Sequence, residues 1–148
     1  RGITEAEAEA RIEAIFQPYH DAISEILDGF EARGAVPLYV AMHSFTPVME
    51  DFQRPWHVGV CWEHDLSLPS PLIAALKENK ELCVGDNEPY PVGRDTDYGI
   101  PVHGAGRGLP HALVEIRQDQ LESDEGCERW AGIVGQALTK VLSRRLDP

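Results

Sequence analysis

The sequence lacks the features of membrane and secreted proteins. No run of about eighteen apolar residues occurs in its 148 residues, and no signal-like apolar segment opens the chain, so no membrane span is predicted. Its three cysteines are odd in number, widely spaced and form no C-x-x-C pair, which argues against a disulfide framework and against a cysteine zinc site. We therefore expect a protein of the reducing cytoplasm.

Positive charge is also scarce. The chain has 13 Lys and Arg residues against 25 Asp and Glu, a formal net charge of −12 at pH 7. Such a chain repels phosphate backbones and anionic lipid surfaces, so neither nucleic acid nor a membrane is an expected partner. With 43% hydrophobic and 26% charged residues, the 148 residues suit a single globular unit with one core.

Two apolar segments of strand length each carry one polar side chain suited to hydrolysis. The nearly continuous apolar run 36–45, typical of a strand covered on both faces, carries His43, and the strand predicted over 112–117 carries Glu115. Ligands bind at the ends of buried strands in an open α/β sheet. We therefore expect His43 and Glu115 to converge, although about seventy residues separate them.

The other elements follow from periodicity and turn residues. Thr4 and Glu7 form a capping box for an amphipathic helix that ends near Gly34, and Pro18 predicts a kink or break just before itself. Alternation predicts a strand over 56–62. A short helix is predicted over 72–80, a third strand over 81–84, a long ligand-binding loop over 85–107 and a C-terminal helix over 130–142.

The residues alone leave structural alternatives open. Glu115 has the chemistry of a base that takes a proton from a zinc-activated water, but an internal ion pair with Arg117 or a solvent-facing position explains it equally well. A lone His at a strand end is more often a hydrogen-bonded core residue than a ligand. Ser44 points to the opposite face from His43, so a serine hydrolase is not predicted.

Four blocks of sequence make the chain recognisable. It resembles the N-formylglutamate amidohydrolase family, itself similar to the zinc carboxypeptidases, in order and spacing over most of its length. The blocks are MHSFTP (42–47), RPWHVGV (54–60), DNEPY (86–90) and GLPH leading into VEIRQD (108–119). The resemblance implies an α/β fold with a mixed, mostly parallel sheet flanked by helices, of the phosphorylase/hydrolase-like (zinc carboxypeptidase-like) architecture.

The resemblance also implies roles for individual residues. His43 matches a zinc ligand, and Glu115 matches the catalytic glutamate that activates water and passes its proton to the leaving amine. Tyr90 is the nearest counterpart of a tyrosine on a mobile loop, and Asn87, Tyr90 and Arg117 are candidates for binding the substrate. The implied reaction, a step of histidine degradation, cleaves a small-molecule N-acyl amino acid, by default N-formyl-L-glutamate to formate and glutamate.

The sequence departs from the family in one respect. The other zinc ligands, a His and an acidic residue, and an Asn–Arg pair for the substrate carboxylate would lie upstream of Arg1. We therefore expect the C-terminal part of a larger single-domain hydrolase, incomplete at its N-terminus, that binds zinc poorly alone. The alternatives are the same chemistry on another acyl amino acid or a peptide end, or a metal-free binding module. No oligomeric state is predicted.

Overall fold

The computed structural model describes residues 2–146. Its contacts divide the chain into two compact units, one ending at Pro37 and the other beginning at Leu38. The single α/β unit expected over residues 1–148 therefore stays a prediction. Within residues 2–146, no helix combines the length and apolarity needed to traverse a lipid bilayer.

The unit that ends at Pro37 is one long helical stretch. It comprises α1 (Glu5–Arg11), a π-helical segment (Ile12–Phe16) and α2 (Gln17–Glu31). The predicted capping box is confirmed. The Thr4 hydroxyl accepts the backbone N–H of Glu7 at 3.3 Å, and the Glu7 carboxylate accepts the backbone N–H of Thr4 at 2.9 Å. Two of the donors that a helix start leaves unpaired are therefore satisfied.

The distortion predicted before Pro18 takes the form of the π-helical segment rather than a break. Pro18 has no N–H to offer the carbonyl of Ala14, and a wider turn accommodates that loss. Gln17 accordingly donates its N–H to the carbonyl of Ile12. The chain leaves the helical path at Gly34, whose φ of 68° suits a residue without a Cβ.

The unit that begins at Leu38 is built on a four-stranded sheet. Its order is β1 (Tyr39–Phe45), β6 (His111–Arg117), β4 (Val58–Cys61) and β5 (Val84–Asp86). The pairs β1–β6 and β4–β5 are parallel, and the pair β4–β6 is antiparallel. The predicted α/β class with a mixed, mostly parallel sheet is therefore confirmed. A short hairpin of β2 (Val48–Met49) and β3 (Phe52–Gln53) follows β1.

The two faces of this sheet carry different residues. Helices α3 (Pro69–Leu76) and α4 (Asp124–Leu146) contribute to the main core, which takes Ala112, Val114 and Ile116 from β6. Successive side chains of a strand point to opposite faces, so Leu113 and Glu115 lie on the other face. That face has a smaller apolar cluster of Leu113, Cys61, Val92 and Ile100. The sheet thus separates Glu115 from the helix-covered core.

Several predicted boundaries are wrong by a few residues, and one burial prediction is wrong in kind. Strand β1 begins at Tyr39, and it is not covered on both faces: Met42 is 51% exposed, and His43 and Ser44 are exposed too. Within residues 2–146, β1 lies at the edge of the sheet with β6 as its neighbour, whereas the central strand β4 is buried at all four residues. An apolar run predicts a strand, but not its place in the sheet.

The boundaries of the other elements shift because loops and caps are poorly marked in the sequence. Helix α3 ends earlier than predicted, β5 begins later, and α4 begins at Asp124 rather than near Trp130. The long loop predicted over 85–107 includes the end of β5, a π-helical segment over Ile100–Gly104 and a 3₁₀ turn over Ala105–Arg107.

We predict that Gly59→Ala unfolds or strongly destabilises the chain. Gly59 pairs with Glu115 across the β4–β6 ladder, and a Cβ at Gly59 would overlap the backbone carbonyl of Glu88. The added Cβ forces the 86–90 loop away from β4, and such overpacking of an interior typically costs about 1–3 kcal/mol, more where backbone atoms collide. Urea unfolding measures the loss.

The matched control is Gly132→Ala in α4, where nothing lies within 4 Å of an added Cβ. Alanine favours a helix over glycine by roughly 1 kcal/mol, so this variant should be unchanged or more stable. If Gly59→Ala were as stable as Gly132→Ala, the close packing of the 86–90 loop on β4 would be wrong.

Candidate active site

The parallel register of β1 and β6 places His43 beside Glu115. The two residues are direct partners in the ladder, and the His43 Nδ1 lies 3.8 Å from the Glu115 Oε1. Their environments differ, since 52% of the His43 side chain is exposed against 6% for Glu115. The sequence prediction that these two residues converge is therefore correct in geometry: an accessible imidazole stands next to a buried carboxylate.

Glu115 opens into a cavity of about 340 Å³ on the face of the sheet opposite α3 and α4. The lining residues are Tyr90, Pro91, Val92, Thr96, Asp97, Leu113 and Glu115. Among the residues that the structure describes, no group donates a hydrogen bond to the buried Glu115 Oε2. A buried polar atom without a partner is costly, and functional sites are where such atoms are retained. Glu115 is only 5% exposed, so the alternative that it faces solvent is wrong.

The charges around Glu115 oppose one another. Burial, the largest cause, and the carboxylate of Asp97 raise the pKa of Glu115, the guanidinium of Arg54 lowers it, and the net result is a pKa raised from 4.5 to about 7. Asp97 is held in place by the backbone N–H of Gly93 at 2.9 Å and the hydroxyl of Thr96 at 3.0 Å. A carboxyl with a pKa near neutrality both accepts and releases protons readily at neutral pH.

Arg54 is a residue that sequence reasoning missed. Its side chain is buried, with the guanidinium carbon 5.6 Å from the Phe45 ring centroid and 4.8 Å from that of Tyr90. The only signal in the sequence is its place at the start of the block 54–60. Burial of an arginine depends on contacts from distant segments, which sequence spacing does not reveal.

Tyr90 lies where the predicted binding loop meets the cavity. Its ring lines the cavity with Glu115, its hydroxyl lies 3.8 Å from the Met49 Sδ, and 40% of the residue is exposed.

Cys61 is fully buried and donates its S–H to the Glu88 carbonyl at 3.4 Å. Burial raises the pKa of the Cys61 thiol to about 12, so it stays protonated at neutral pH.

The other two predicted substrate ligands are used by the scaffold. The Asn87 side-chain carbonyl accepts the backbone N–H of Trp62 at 2.9 Å, which fixes the loop to β4. The Arg117 Nη1 donates to the carbonyls of Arg54 and Trp56 at 3.0 and 3.1 Å, and its Nε and Nη2 donate to Asp119. Neither residue lines the cavity, and Arg117 pairs with Asp119 rather than with Glu115. The role of both residues in substrate binding stays a prediction.

The donor set fits part of a metal site. Within residues 2–146, no three His, Cys, Asp or Glu side chains form a group able to hold a metal ion. His43 supplies one accessible imidazole and Glu115 an adjacent carboxylate. A catalytic zinc needs three protein ligands, so this arrangement suits a zinc site only if further ligands join His43.

Comparisons with known proteins identify the family of the chain and proteins of similar fold. The sequence model of the N-formylglutamate amidohydrolase family matches residues 1–121. The fold is similar to that of gene product Atu2144 from Agrobacterium tumefaciens, with 30% identity and a TM-score of 0.90 over 98% of this chain and 57% of that one. No curated protein matches the chain.

A more distant structure is the N-formylglutamate amidohydrolase from Ralstonia eutropha JMP134. It is 21% identical, with a TM-score of 0.66 over 97% of this chain and 54% of that one, a likeness that extends to the fold alone. The chain therefore spans little more than half the length of both solved structures.

We predict that removing the Glu115 charge stabilises the metal-free protein in a pH-dependent way. The pKa of Glu115 is raised in the folded chain, so its contribution to stability is full below pH 4.5 and is lost as the pH rises through about 7. Glu115→Gln cannot ionise. Its free energy of unfolding should exceed that of wild type by on the order of 1–3 kcal/mol at about pH 8 and equal it at about pH 4.

Urea unfolding in the presence of a chelator at both pH values measures this difference. The control is Glu81→Gln, because Glu81 is exposed. An equal effect of Glu115→Gln at the two pH values would contradict the buried, charge-disfavouring environment.

Proposed function

The chain belongs to the N-formylglutamate amidohydrolase family, and on that premise we propose that it carries the catalytic base of a zinc-dependent amidohydrolase. The proposed substrate is a small N-acyl amino acid, with N-formyl-L-glutamate giving formate and glutamate as the default. A place in histidine degradation and a cytoplasmic location, both expected from the sequence, belong to the same proposal.

One observation supports this proposal above all others. Glu115 is a buried carboxylate with one oxygen unpaired among the described residues, it lines a cavity of about 340 Å³, and an exposed imidazole lies beside it. A purely structural carboxylate at this depth would be expected to have its hydrogen bonds satisfied. A base that must receive a proton from a reactant needs a free oxygen that faces open space.

Hydrolysis in this cavity would proceed by two proton transfers through Glu115. Glu115 takes a proton from water as the water oxygen adds to the formyl carbon, and it then gives that proton to the amine nitrogen as the C–N bond breaks. The pKa of about 7 suits both steps. Zinc, when bound, supplies polarisation of the water and of the carbonyl oxygen.

Other residues of the cavity would orient the reactants. Tyr90 has a hydroxyl free to bond to an acyl group or leaving amine, because its present neighbour is the weakly accepting Met49 Sδ at 3.8 Å. Val92 and Leu113 form apolar walls that limit access of bulk water. His43 would be one of the zinc ligands, and the proposal requires further ligands from outside residues 2–146.

We predict that Glu115→Gln in the full gene product lowers kcat for N-formylglutamate by about 10²–10⁴-fold, because the proton relay is lost. Zinc content, measured by mass spectrometry of the purified protein, should be unchanged, since Glu115 is not proposed as a ligand. Glu81→Gln is the control for a charge change alone. Retained turnover in Glu115→Gln would remove the assignment of the base.

Metal dependence has its own test. We expect about one zinc per full gene product and a loss of at least tenfold in zinc affinity for His43→Ala, with His64→Ala unchanged because His64 is a surface residue. A protein without zinc when purified without chelator would instead support a metal-free binding module.

More product from acetyl or succinyl analogues than from N-formylglutamate would remove the default substrate.

A further inference from the structure

Arg54 is a buried cation with incomplete compensation of its charge. It is the one buried Lys or Arg among the described residues. Its Nη1 donates to the backbone carbonyl of Thr46 at 3.2 Å and approaches the Thr46 hydroxyl at 3.4 Å, and its Nη2 contacts the Met49 Sδ. Within residues 2–146, no carboxylate forms an ion pair with it, and the acceptors that its Nη1 and Nη2 contact are a carbonyl, a hydroxyl and a thioether, all of them uncharged.

This arrangement leaves one edge of the guanidinium poorly matched. The Nε and Nη2 groups together form the edge that binds a carboxylate through two parallel hydrogen bonds. Here that edge meets a thioether, which is a weak acceptor carried on a flexible side chain that can move aside. Arginine stays charged in proteins, so a buried guanidinium is costly until an anion pairs with it.

The backbone around Arg54 holds this edge in place. Its N–H donates to the Pro47 carbonyl at 2.9 Å, and its own carbonyl accepts from the Arg117 Nη1 at 3.0 Å. The Phe45 and Tyr90 rings lie against the guanidinium and restrict its rotation. The cation is therefore preorganised, which lowers the cost of binding an anion.

The position of Arg54 relates it to the proposed reaction. Tyr90 touches Arg54 and also lines the Glu115 cavity, and the charge of Arg54 acts on Glu115. Arg54 itself does not line that cavity. An anionic substrate group next to Asp97 and Glu115 would be repelled, and a cation one aromatic ring away offers it a favourable position.

We propose that Arg54 is a specificity-determining residue that binds the side-chain carboxylate of the substrate. This inference rests on the proposed function, because it assumes that the amide to be cleaved lies beside Glu115. The side-chain carboxylate of an acylated glutamate is further from the amide nitrogen than the α-carboxylate is, by the length of its methylene chain. It therefore reaches past Tyr90 to Arg54, and Met49 swings away to admit it.

The test compares Arg54→Met with wild type in the full gene product on two substrates. For N-formylglutamate, kcat/KM should fall about 10²-fold, because a charge-assisted pair is lost. For N-formylglutamine, which has no side-chain charge, the loss in kcat/KM should be at least about tenfold smaller, because only the effect of Arg54 on Glu115 remains. Arg54→Lys keeps the charge but not the two-bond geometry. Its kcat/KM for N-formylglutamate should therefore lie between the values for wild type and Arg54→Met. Equal losses on both substrates would overturn the proposal.

A binding measurement separates this inference from the proposed function. Isothermal titration with glutarate, a dicarboxylate without an amide, should show binding to wild type and at least tenfold weaker binding to Arg54→Met. The control is Arg94→Met, since Arg94 is an exposed arginine that pairs with Glu63 and should bind glutarate as wild type does. Circular dichroism confirms that each variant is folded.

The outcomes of the titration are distinct. Unchanged glutarate binding by Arg54→Met, or no binding by wild type, overturns the role of Arg54. Binding that is lost in Arg54→Met while wild type cleaves neither formyl substrate upholds Arg54 as a carboxylate ligand and rejects the amidohydrolase proposal.

Discussion

Strand β6 is the constraint on which the arrangement of this chain depends. It pairs in parallel with β1 and antiparallel with β4, so its backbone is held from both sides. The alternation of its side chains then sets which face of the sheet each residue occupies. Val114 and Ile116 enter the helix-covered core, and Glu115 faces the opposite way. A shift of one residue in register would exchange the two sets and lose both the core and the site.

The burial that results is unfavourable for Glu115 alone, and its neighbours set how unfavourable. Asp97 and Arg54 act on the carboxyl with opposite sign, while His43 stands on the solvent side. Among the described residues, such a balance holds the pKa of Glu115 near 7 without an ion pair to a lysine or arginine. The stability given up at this one position is offset by the apolar packing on the far face of the same strand, since Val114 is fully buried there.

The sequence predicted the pair at the centre of the site because the pair depends on local pattern. His43 and Glu115 each stand out as polar residues in short apolar strands, and the rule that strand ends converge supplied the rest. Arg54 and Arg117 depend instead on contacts between distant segments. Arg117 donates hydrogen bonds to backbone carbonyls 61 to 63 residues away. Arg54 contacts Met49 of the hairpin and the ring of Tyr90. Neither arrangement leaves a spacing that can be read along the chain.

The position of β1 at the edge of the sheet has a consequence for the proposed metal site. Within residues 2–146, the far side of this strand offers its backbone N–H and C=O groups without a neighbouring strand. A strand that added there would be locked to His43 by the same hydrogen-bond ladder that locks Glu115 on the near side. The distance between the His43 imidazole and a second metal ligand on such a strand would then be set by the spacing of the two strands. The backbone hydrogen bonds would fix that distance before a metal ion binds.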